Sequence, residues 1–214
     1  MARYPELGKV KTRLARTLGA PRALALYRAF LLDLDERFAD RQRKLVWMYE
    51  PGEAPFAALV RPGSMCLPQQ GVGLAQRMLH CFDTLLKPAI GGFDRVIMIG
   101  ADVPHVRDSS IEEADRRLDD HDVVLGPSAD GGYYLVALRQ PCDLFSMVDI
   151  GTSRVFEQTL NAVRAAGLRA HLLPQDFDVD DEADVERLRL LLAQSDAPRL
   201  PRTMAVLDES AGRP

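Results

Sequence analysis

The stretch VIMIGADVP, residues 96–104, constrains the fold of this chain more than any other feature. It opens with four large apolar residues and closes with glycine, aspartate and proline. A short unbroken apolar run between turn residues is typical of a strand buried on both faces, in the centre of a sheet. Asp102 therefore follows the carboxyl end of a central strand, which is where open α/β sheets bind ligands. The alternative is that Asp102 only caps the following turn.

Strand-like and helix-like segments alternate along most of the chain. Apolar residues at steps of three and four predict a helix over about 22–39, and residues 45–49 are typical of a strand. The alternation predicts an α/β fold with a mostly parallel sheet. We expect a single domain over residues 1–194 and a flexible tail over 195–214, which holds three prolines. No strand-like run precedes the first loop, so the first strand is predicted to be missing.

Three helix starts are also predicted from short polar signals. Ser109 with Glu112 has the spacing of a capping box, and Thr152 or Ser153 can cap the helix that follows them. Near the C-terminus, either Asp180 or Asp181 is expected to cap the last helix.

Composition excludes several classes of function. The net charge is −4, so the chain lacks the broad basic surface of a nucleic-acid-binding protein. Its three cysteines are widely spaced, which argues against a disulfide framework or zinc knuckle and favours a reducing, cytoplasmic location. No apolar run approaches the roughly 20 residues that span a bilayer, and residues 1–15 do not resemble a signal peptide.

The segment GKVKTR, residues 8–13, is the first candidate ligand site. It joins a flexible glycine, Gly8, to three cations within six residues, and such cations in a loop suit a polyphosphate ligand. The spacing is not that of a P-loop, so any phosphate site here is of another kind. The alternative is a solvated basic start of a helix.

A second candidate lies at the glycines that open the helix after residue 73. Gly71 could lay backbone N–H groups against a base or phosphate, and Arg77 is one turn into the helix. A Rossmann dinucleotide site is rejected, because Gln76 stands where the third glycine is required. Arg77 could equally be a surface cation.

Two acidic segments complete the list. Asp130 precedes two glycines at a turn, and these glycines permit positive φ or a close approach to a ligand. A plain β-turn explains that segment equally well. The segment DFDVDDEAD, residues 176–184, lacks the glycine and glutamate spacing of an EF-hand.

Four stretches together resemble a known family: YPELGKVKTRL, GADVP, GPSADGGYYLVAL and DFDVDDEADV. The chain is similar over about residues 2–192 to bacterial glycosyltransferase-like proteins described as radical-SAM/selenodomain-associated transferases. That family lies within the nucleotide-diphospho-sugar transferase superfamily, which has the GT-A fold. The resemblance implies a three-layer GT-A-like sandwich and a cytoplasmic, nucleotide-binding enzyme.

The resemblance also implies a metal site. Asp102 occupies the place of the aspartate that holds Mg²⁺ or Mn²⁺ on the diphosphate, and Asp178 or Asp180 is the candidate for a second acidic contact. We selected Asp180 as the second metal ligand. In this superfamily the basic loop meets the nucleotide or its phosphates, so the resemblance points to Lys11 and Arg13. The expected function is metal-dependent glycosyl transfer from a nucleotide-diphospho-sugar to a small-molecule acceptor, in which Asp130 would bind the acceptor hydroxyl or act as a general base. The alternatives are nucleotidyl transfer from an NTP to a phosphorylated acceptor, and a non-catalytic nucleotide-binding domain.

Overall fold

The structure is a computed structural model, and it describes residues 1–39, 43–87, 92–146, 148 and 152–209. The single domain that we predicted over residues 1–194 stays a prediction, and the backbone forms two compact units. The first unit is formed by Met1–Pro68, Ala101–Val106 and Asp178–Pro214. The second unit is formed by Gln69–Gly100 and Arg107–Phe177.

The first unit contains a parallel three-stranded sheet with the order β1-β2-β3. Its strands are β1 (Ala2–Arg3), β2 (Val46–Glu50) and β3 (Met65–Pro68). Its helices are α1 (Thr12–Leu18), α2 (Ala20–Arg37), α6 (Glu182–Leu192) and α7 (Pro201–Asp208).

We predicted that the first strand is missing upstream of Ala2, and the structure has a strand of only two residues, β1, before the first loop. Ala2 pairs with Tyr49 and Arg3 with Glu50. The Tyr27 hydroxyl on α2 accepts the Arg3 N–H at 3.0 Å and donates to the Arg3 carbonyl at 3.2 Å. A strand of two residues is too short to show apolar periodicity in the sequence. It is held by distant residues of β2 and α2, which no local pattern indicates.

The second unit contains a mixed four-stranded sheet with the order β4-β6-β5-β7. Its strands are β4 (Val96–Ile99), β5 (Val123–Pro127), β6 (Tyr133–Leu138) and β7 (Ala170–Leu172). Its helices are α3 (Gly73–Leu86), α4 (Asp108–Arg117) and α5 (Val155–Ala165). Of the five strand pairings in the described ranges, three are parallel and two antiparallel. The predicted α/β fold with a mostly parallel sheet is confirmed.

Burial differs between the strands of the second unit. In β4 only Val96 is buried, while its other three residues are partly exposed. In β5, by contrast, Val123, Val124 and Leu125 are fully buried. Within this sheet, as far as the structure describes it, β4 is one of the two end strands and β5 lies between two neighbours. The expectation of a strand buried on both faces therefore fits β5 better than β4.

Of the predicted helix starts, one is confirmed and two are wrong. The Asp181 carboxylate caps α6 and forms a capping box with Asp184. Helix α4 begins at Asp108, so Ser109 lies inside the first turn and does not cap it. Helix α5 begins at Val155, and the Thr152 hydroxyl instead accepts the Arg154 N–H at 3.4 Å.

The segment predicted to be a flexible tail contains α7. Its Thr203 and Leu207 are buried, and its first backbone N–H groups are bound by a carboxylate on α2. Asp33 Oδ1 accepts the Arg202 N–H at 3.1 Å, and Oδ2 accepts the Thr203 N–H at 2.8 Å. Residues 210–214 of the predicted tail lie outside the described residues. Separately, no helix within the described ranges is long and apolar enough to cross a membrane.

Candidate functional site

Three stretches of the first unit, far apart in sequence, meet at one lysine. The Lys11 ammonium Nζ lies 2.9 Å from Asp102 Oδ1 and 2.9 Å from Asp180 Oδ1. Arg13 Nη1 lies 3.5 Å from Asp180 Oδ2. We call these four residues the Lys11 cluster. The structure thus brings together both predicted metal ligands and two of the predicted phosphate-binding cations.

The loop before α1 holds Lys11 in an unusual conformation. Lys11 is the N-cap residue of α1 with φ 48° and ψ 46°, and it is the single non-glycine residue with positive φ in the described part of the chain. A side chain in the left-handed region costs roughly 1–2 kcal/mol. The neighbouring Val10 is buried, and the Arg3 guanidinium donates to the Lys9 carbonyl at 3.3 Å. These contacts fix the loop that turns Lys11 inward.

Backbone hydrogen bonds hold the segment that carries Asp102. The Val179 N–H donates to the Asp102 carbonyl at 2.9 Å, which ties this segment to the chain that leads to Asp180. The Arg37 guanidinium, on the last turn of α2, donates to the carbonyls of Pro104 at 2.6 Å and Val106 at 2.7 Å. Sequence reasoning missed Arg37, because its partners are carbonyls more than 60 residues away and no local pattern marks them.

Helix capping explains why Asp180, and not its neighbour, faces the lysine. Asp181 uses its carboxylate to cap α6, so the Asp180 side chain is left for Lys11. The Asp180 N–H donates to Asp184 Oδ2 at 3.0 Å, which fixes its backbone at the start of α6. The sequence left Asp178 and Asp180 as alternatives, and Asp180 is the member of this pair that joins the Lys11 cluster.

Burial and charge act in opposite directions on Lys11. Its side chain is only 4% exposed, whereas those of Asp102 and Asp180 are 43% and 37% exposed. Burial alone would lower the pKa of Lys11, but the two carboxylates outweigh it and raise the pKa above 10.5. Lys11 is therefore a permanent ammonium ion at neutral pH. Burial, together with the charge of Asp102, also raises the pKa of Tyr27, which stays protonated.

The donor set of the Lys11 cluster suits a divalent cation that is shared with a phosphate ligand. Within the described ranges, no group of three or more His, Cys, Asp and Glu side chains could hold a metal by itself. Mg²⁺, however, is commonly held by one or two carboxylates, with phosphates and water completing its coordination. Asp102 and Asp180 are a carboxylate pair of that kind, and both are accessible. The residues therefore fit a metal that arrives with a phosphate ligand.

Gly8 allows the basic loop to adopt a backbone conformation with positive φ. It has φ +76°, and a Cβ atom built on it would meet nothing within 4 Å. The positive φ explains the glycine, because residues with a side chain rarely adopt that conformation. Its predicted role as a nucleotide-binding residue stays a prediction.

The glycine loop before α3 lies in the second unit and forms hydrogen bonds with the start of that helix. Gln76 Oε1 accepts the Val72 N–H at 2.9 Å, and Arg77 Nε donates to the Gly71 carbonyl at 3.4 Å. A Cβ on Gly71 would lie 2.7 Å from Gln76 Cβ, so close packing against α3 requires the glycine. The predicted nucleotide contacts of Gly71 and Arg77 stay predictions, because both residues already have local partners.

Asp130 also lies in the second unit, where it forms a turn. Its Oδ1 accepts the Gly132 N–H at 2.9 Å, the pattern of an Asx turn. A Cβ on Gly131 would lie 2.1 Å from the Ser153 carbonyl oxygen, so contact with that backbone explains the first glycine. The turn interpretation of this segment is confirmed, and the catalytic role of Asp130 stays a prediction.

Comparisons with known proteins agree with this fold. The sequence model of a family described as "Uncharacterized protein conserved in bacteria (DUF2064)" matches residues 32–152. A crystal structure from Desulfovibrio desulfuricans G20, described as a "putative nucleotide-diphospho-sugar transferase", is 35% identical and has a TM-score of 0.90. That match covers 98% of this chain and 92% of the other chain. No curated protein matches the chain at a significant level.

Proposed function

This chain belongs to the DUF2064 family, and from that membership and the Lys11 cluster we propose that it is a metal-dependent glycosyltransferase that uses a nucleotide-diphospho-sugar donor. The likeness to the Desulfovibrio structure supports the nucleotide-diphospho-sugar transferase superfamily. Three parts of the proposal rest on the sequence resemblance alone. They are the radical-SAM/selenodomain association, the cytoplasmic location and the small-molecule acceptor.

The observation that carries the proposal is the meeting of two carboxylates and two cations in one partly exposed cluster. Departure of a nucleoside diphosphate requires stabilisation of the negative charge that develops on its phosphates. Lys11 and Arg13 can bind phosphate oxygens, Arg13 in a bidentate manner. Asp102 and Asp180 would hold Mg²⁺ or Mn²⁺, and the ion would supply further neutralisation of the diphosphate.

Asp130 is the proposed acceptor-side residue. Because its carboxylate is exposed at a turn, its second oxygen could accept a proton or a hydrogen bond from an acceptor hydroxyl. An Asp130→Asn variant should keep donor binding and lose turnover, while loss of donor binding would contradict this assignment.

The test of the function is donor cleavage. We expect purified protein with Mg²⁺ or Mn²⁺ to release nucleoside diphosphate from UDP-, GDP- or ADP-sugars, even if water replaces the acceptor. The melting temperature should rise only with those donors that bind the folded protein. Asp180→Asn should lose this release of nucleoside diphosphate. Asp83→Asn is its matched control, because Asp83 is likewise 37% exposed and ion-paired to a lysine, Lys87, at 2.7 Å.

A second candidate function has support from the same cluster. Two cations beside two carboxylates also suit a triphosphate, so nucleotidyl transfer from an NTP to a phosphorylated acceptor is the alternative. Release of pyrophosphate from an NTP would favour it over glycosyl transfer. Binding of nucleotides without release of either product would instead favour a non-catalytic nucleotide-binding domain.

A further inference from the structure

We infer that Lys11 is an internal counter-ion that holds Asp102 and Asp180 until a divalent cation and a nucleoside diphosphate arrive together. This inference rests on the proposed function, and it adds how the divalent cation and the nucleoside diphosphate depend on each other for binding. Each ligand should bind weakly alone and strongly in the presence of the other.

The first support is the position of the ammonium group. Lys11 Nζ makes the same 2.9 Å contact with one oxygen of each carboxylate. A divalent cation held by both carboxylates would compete with Lys11 for these oxygens. Lysine is suited to this role, because its charge is a compact point on a flexible stem and can move to another anion.

The second support is the charge of the cluster. Lys11 and Arg13 carry two positive charges, and Asp102 and Asp180 carry two negative charges, so the four residues sum to zero. Neither a bare metal ion nor a bare diphosphate is attracted to a neutral cluster. With both ligands bound, Asp102 and Asp180 would hold the metal, and Lys11 and Arg13 would bind the diphosphate.

The third support is the backbone at Lys11. A glycine would adopt its left-handed conformation without a steric penalty, as Gly8 does three residues earlier in the same loop. The loop instead places a lysine there and buries its side chain. Strained non-glycine residues of this kind cluster at functional sites, which favours a role for the ammonium beyond shaping the turn.

Cooperativity between the two ligands is the thermodynamic consequence. If nucleotide removes Lys11 from the carboxylates, the metal no longer competes with it and binds more tightly. Linkage requires the metal to strengthen nucleotide binding by the same factor. Lys11 therefore couples the two ligands through one movable charge.

Titration calorimetry can test this inference with Mn²⁺ alone, UDP or GDP alone, and both together. Removing the ammonium in Lys11→Met leaves Asp102 without its lysine and Asp180 with Arg13 alone, so the cluster carries a net charge of −1. Mn²⁺ alone should then bind about tenfold more tightly than to the wild type. The coupling between Mn²⁺ and nucleotide should fall toward none. Lys9→Met is the matched control, because Lys9 is a 66% exposed lysine of the same loop, paired with Glu6.

A second variant keeps the inference testable if Lys11→Met does not fold. Lys11→Gly removes the same charge and also relieves the positive-φ strain, so it should fold at least as readily as Lys11→Met. Unchanged or weaker Mn²⁺ binding in folded Lys11→Gly would overturn the inference. If the wild type bound no nucleotide at all, the proposed function would fail, and the Mn²⁺ comparison would still judge the role of Lys11.

Discussion

Two aspartates of the first unit, Asp35 and Asp102, differ in how far their carboxylates are exposed and in how many hydrogen-bond partners they have. Asp35 is buried, and its oxygens accept from Trp47 Nε1 at 2.8 Å, from the Arg61 N–H at 3.0 Å and Nε at 2.9 Å, and from Ser64 Oγ at 3.0 Å. The Asp102 side chain is 43% exposed, and its contact in the Lys11 cluster is with one lysine. The first carboxylate has no capacity left for a ligand, while the second is open to one.

The difference predicts opposite consequences of mutation. A fully bonded, buried carboxylate contributes to stability, because removing it leaves donors without acceptors. The ion pair at Asp102 should contribute less, because this carboxylate is partly exposed and the buried Lys11 keeps Asp180 as a partner when Asp102 is changed. Mutations at the two centres should therefore separate stability from activity.

The largest effect on stability is expected for Asp35→Ala. The change leaves the donors of Trp47, Arg61 and Ser64 without their buried acceptor, so the free energy of unfolding should fall by about 3–5 kcal/mol. Chemical denaturation measures this value. Asp83→Ala removes an exposed partner of Lys87 and should change it by less than about 1 kcal/mol. Equal losses in the two variants would contradict the distinction.

Asp102→Asn should affect turnover strongly and stability less. Turnover of the donor should fall by roughly a hundredfold or more, because the cluster loses a carboxylate of the proposed metal site. The free energy of unfolding should fall by less than in Asp35→Ala, because the buried Lys11 keeps its contact with Asp180. Steady-state kinetics and chemical denaturation on the same preparation check both values. Retained turnover would separate Asp102 from the reaction.

The two centres should also differ in acid. Burial alone would raise the pKa of Asp35, but hydrogen bonds from Trp47, Arg61 and Ser64 lower it below 3.8. A depressed pKa stabilises the folded state above the unfolded pKa, and this contribution is lost as the pH falls through the folded pKa. The stability advantage of the wild type over Asp35→Ala should thus be full near about pH 6 and shrink below about pH 4. An advantage independent of pH would show that the carboxylate charge is not involved.

A smaller effect distinguishes the two glycine-containing loops. Gly71→Ala should lower the free energy of unfolding by about 2 kcal/mol, because a Cβ there meets Gln76 at 2.7 Å and φ is +116°. Gly8→Ala should cost about 1 kcal/mol, since only its positive φ is unfavourable and the space is open. Thermal melts of both variants measure the difference, and a larger loss at Gly8 would contradict the packing argument.

The sequence predicted the charged members of the site but not how they are held. Asp102 was nominated by its position after a strand, whereas Asp180, and the choice of Lys11 and Arg13 within the basic loop, came from the family resemblance. Their convergence depends on folding of distant segments. Arg37 was missed because its role is to bind carbonyls across the fold.

The same reason explains the errors in the fold. Helix α7 was predicted to be a loose tail because its segment is rich in proline and small residues. Its start is stabilised by Asp33, about 170 residues earlier in the chain, which no local pattern could show. The unexpected strand β1 is likewise fixed by Tyr27 and by its pairing with β2.

The most direct measurement is a crystal structure of the protein with Mn²⁺ and a bound nucleoside diphosphate. The account predicts an anomalous manganese peak on the carboxylates of Asp102 and Asp180, with Lys11 Nζ moved from them to a phosphate oxygen. Nucleotide bound elsewhere, with the Lys11 contacts still at 2.9 Å, would contradict the central claim.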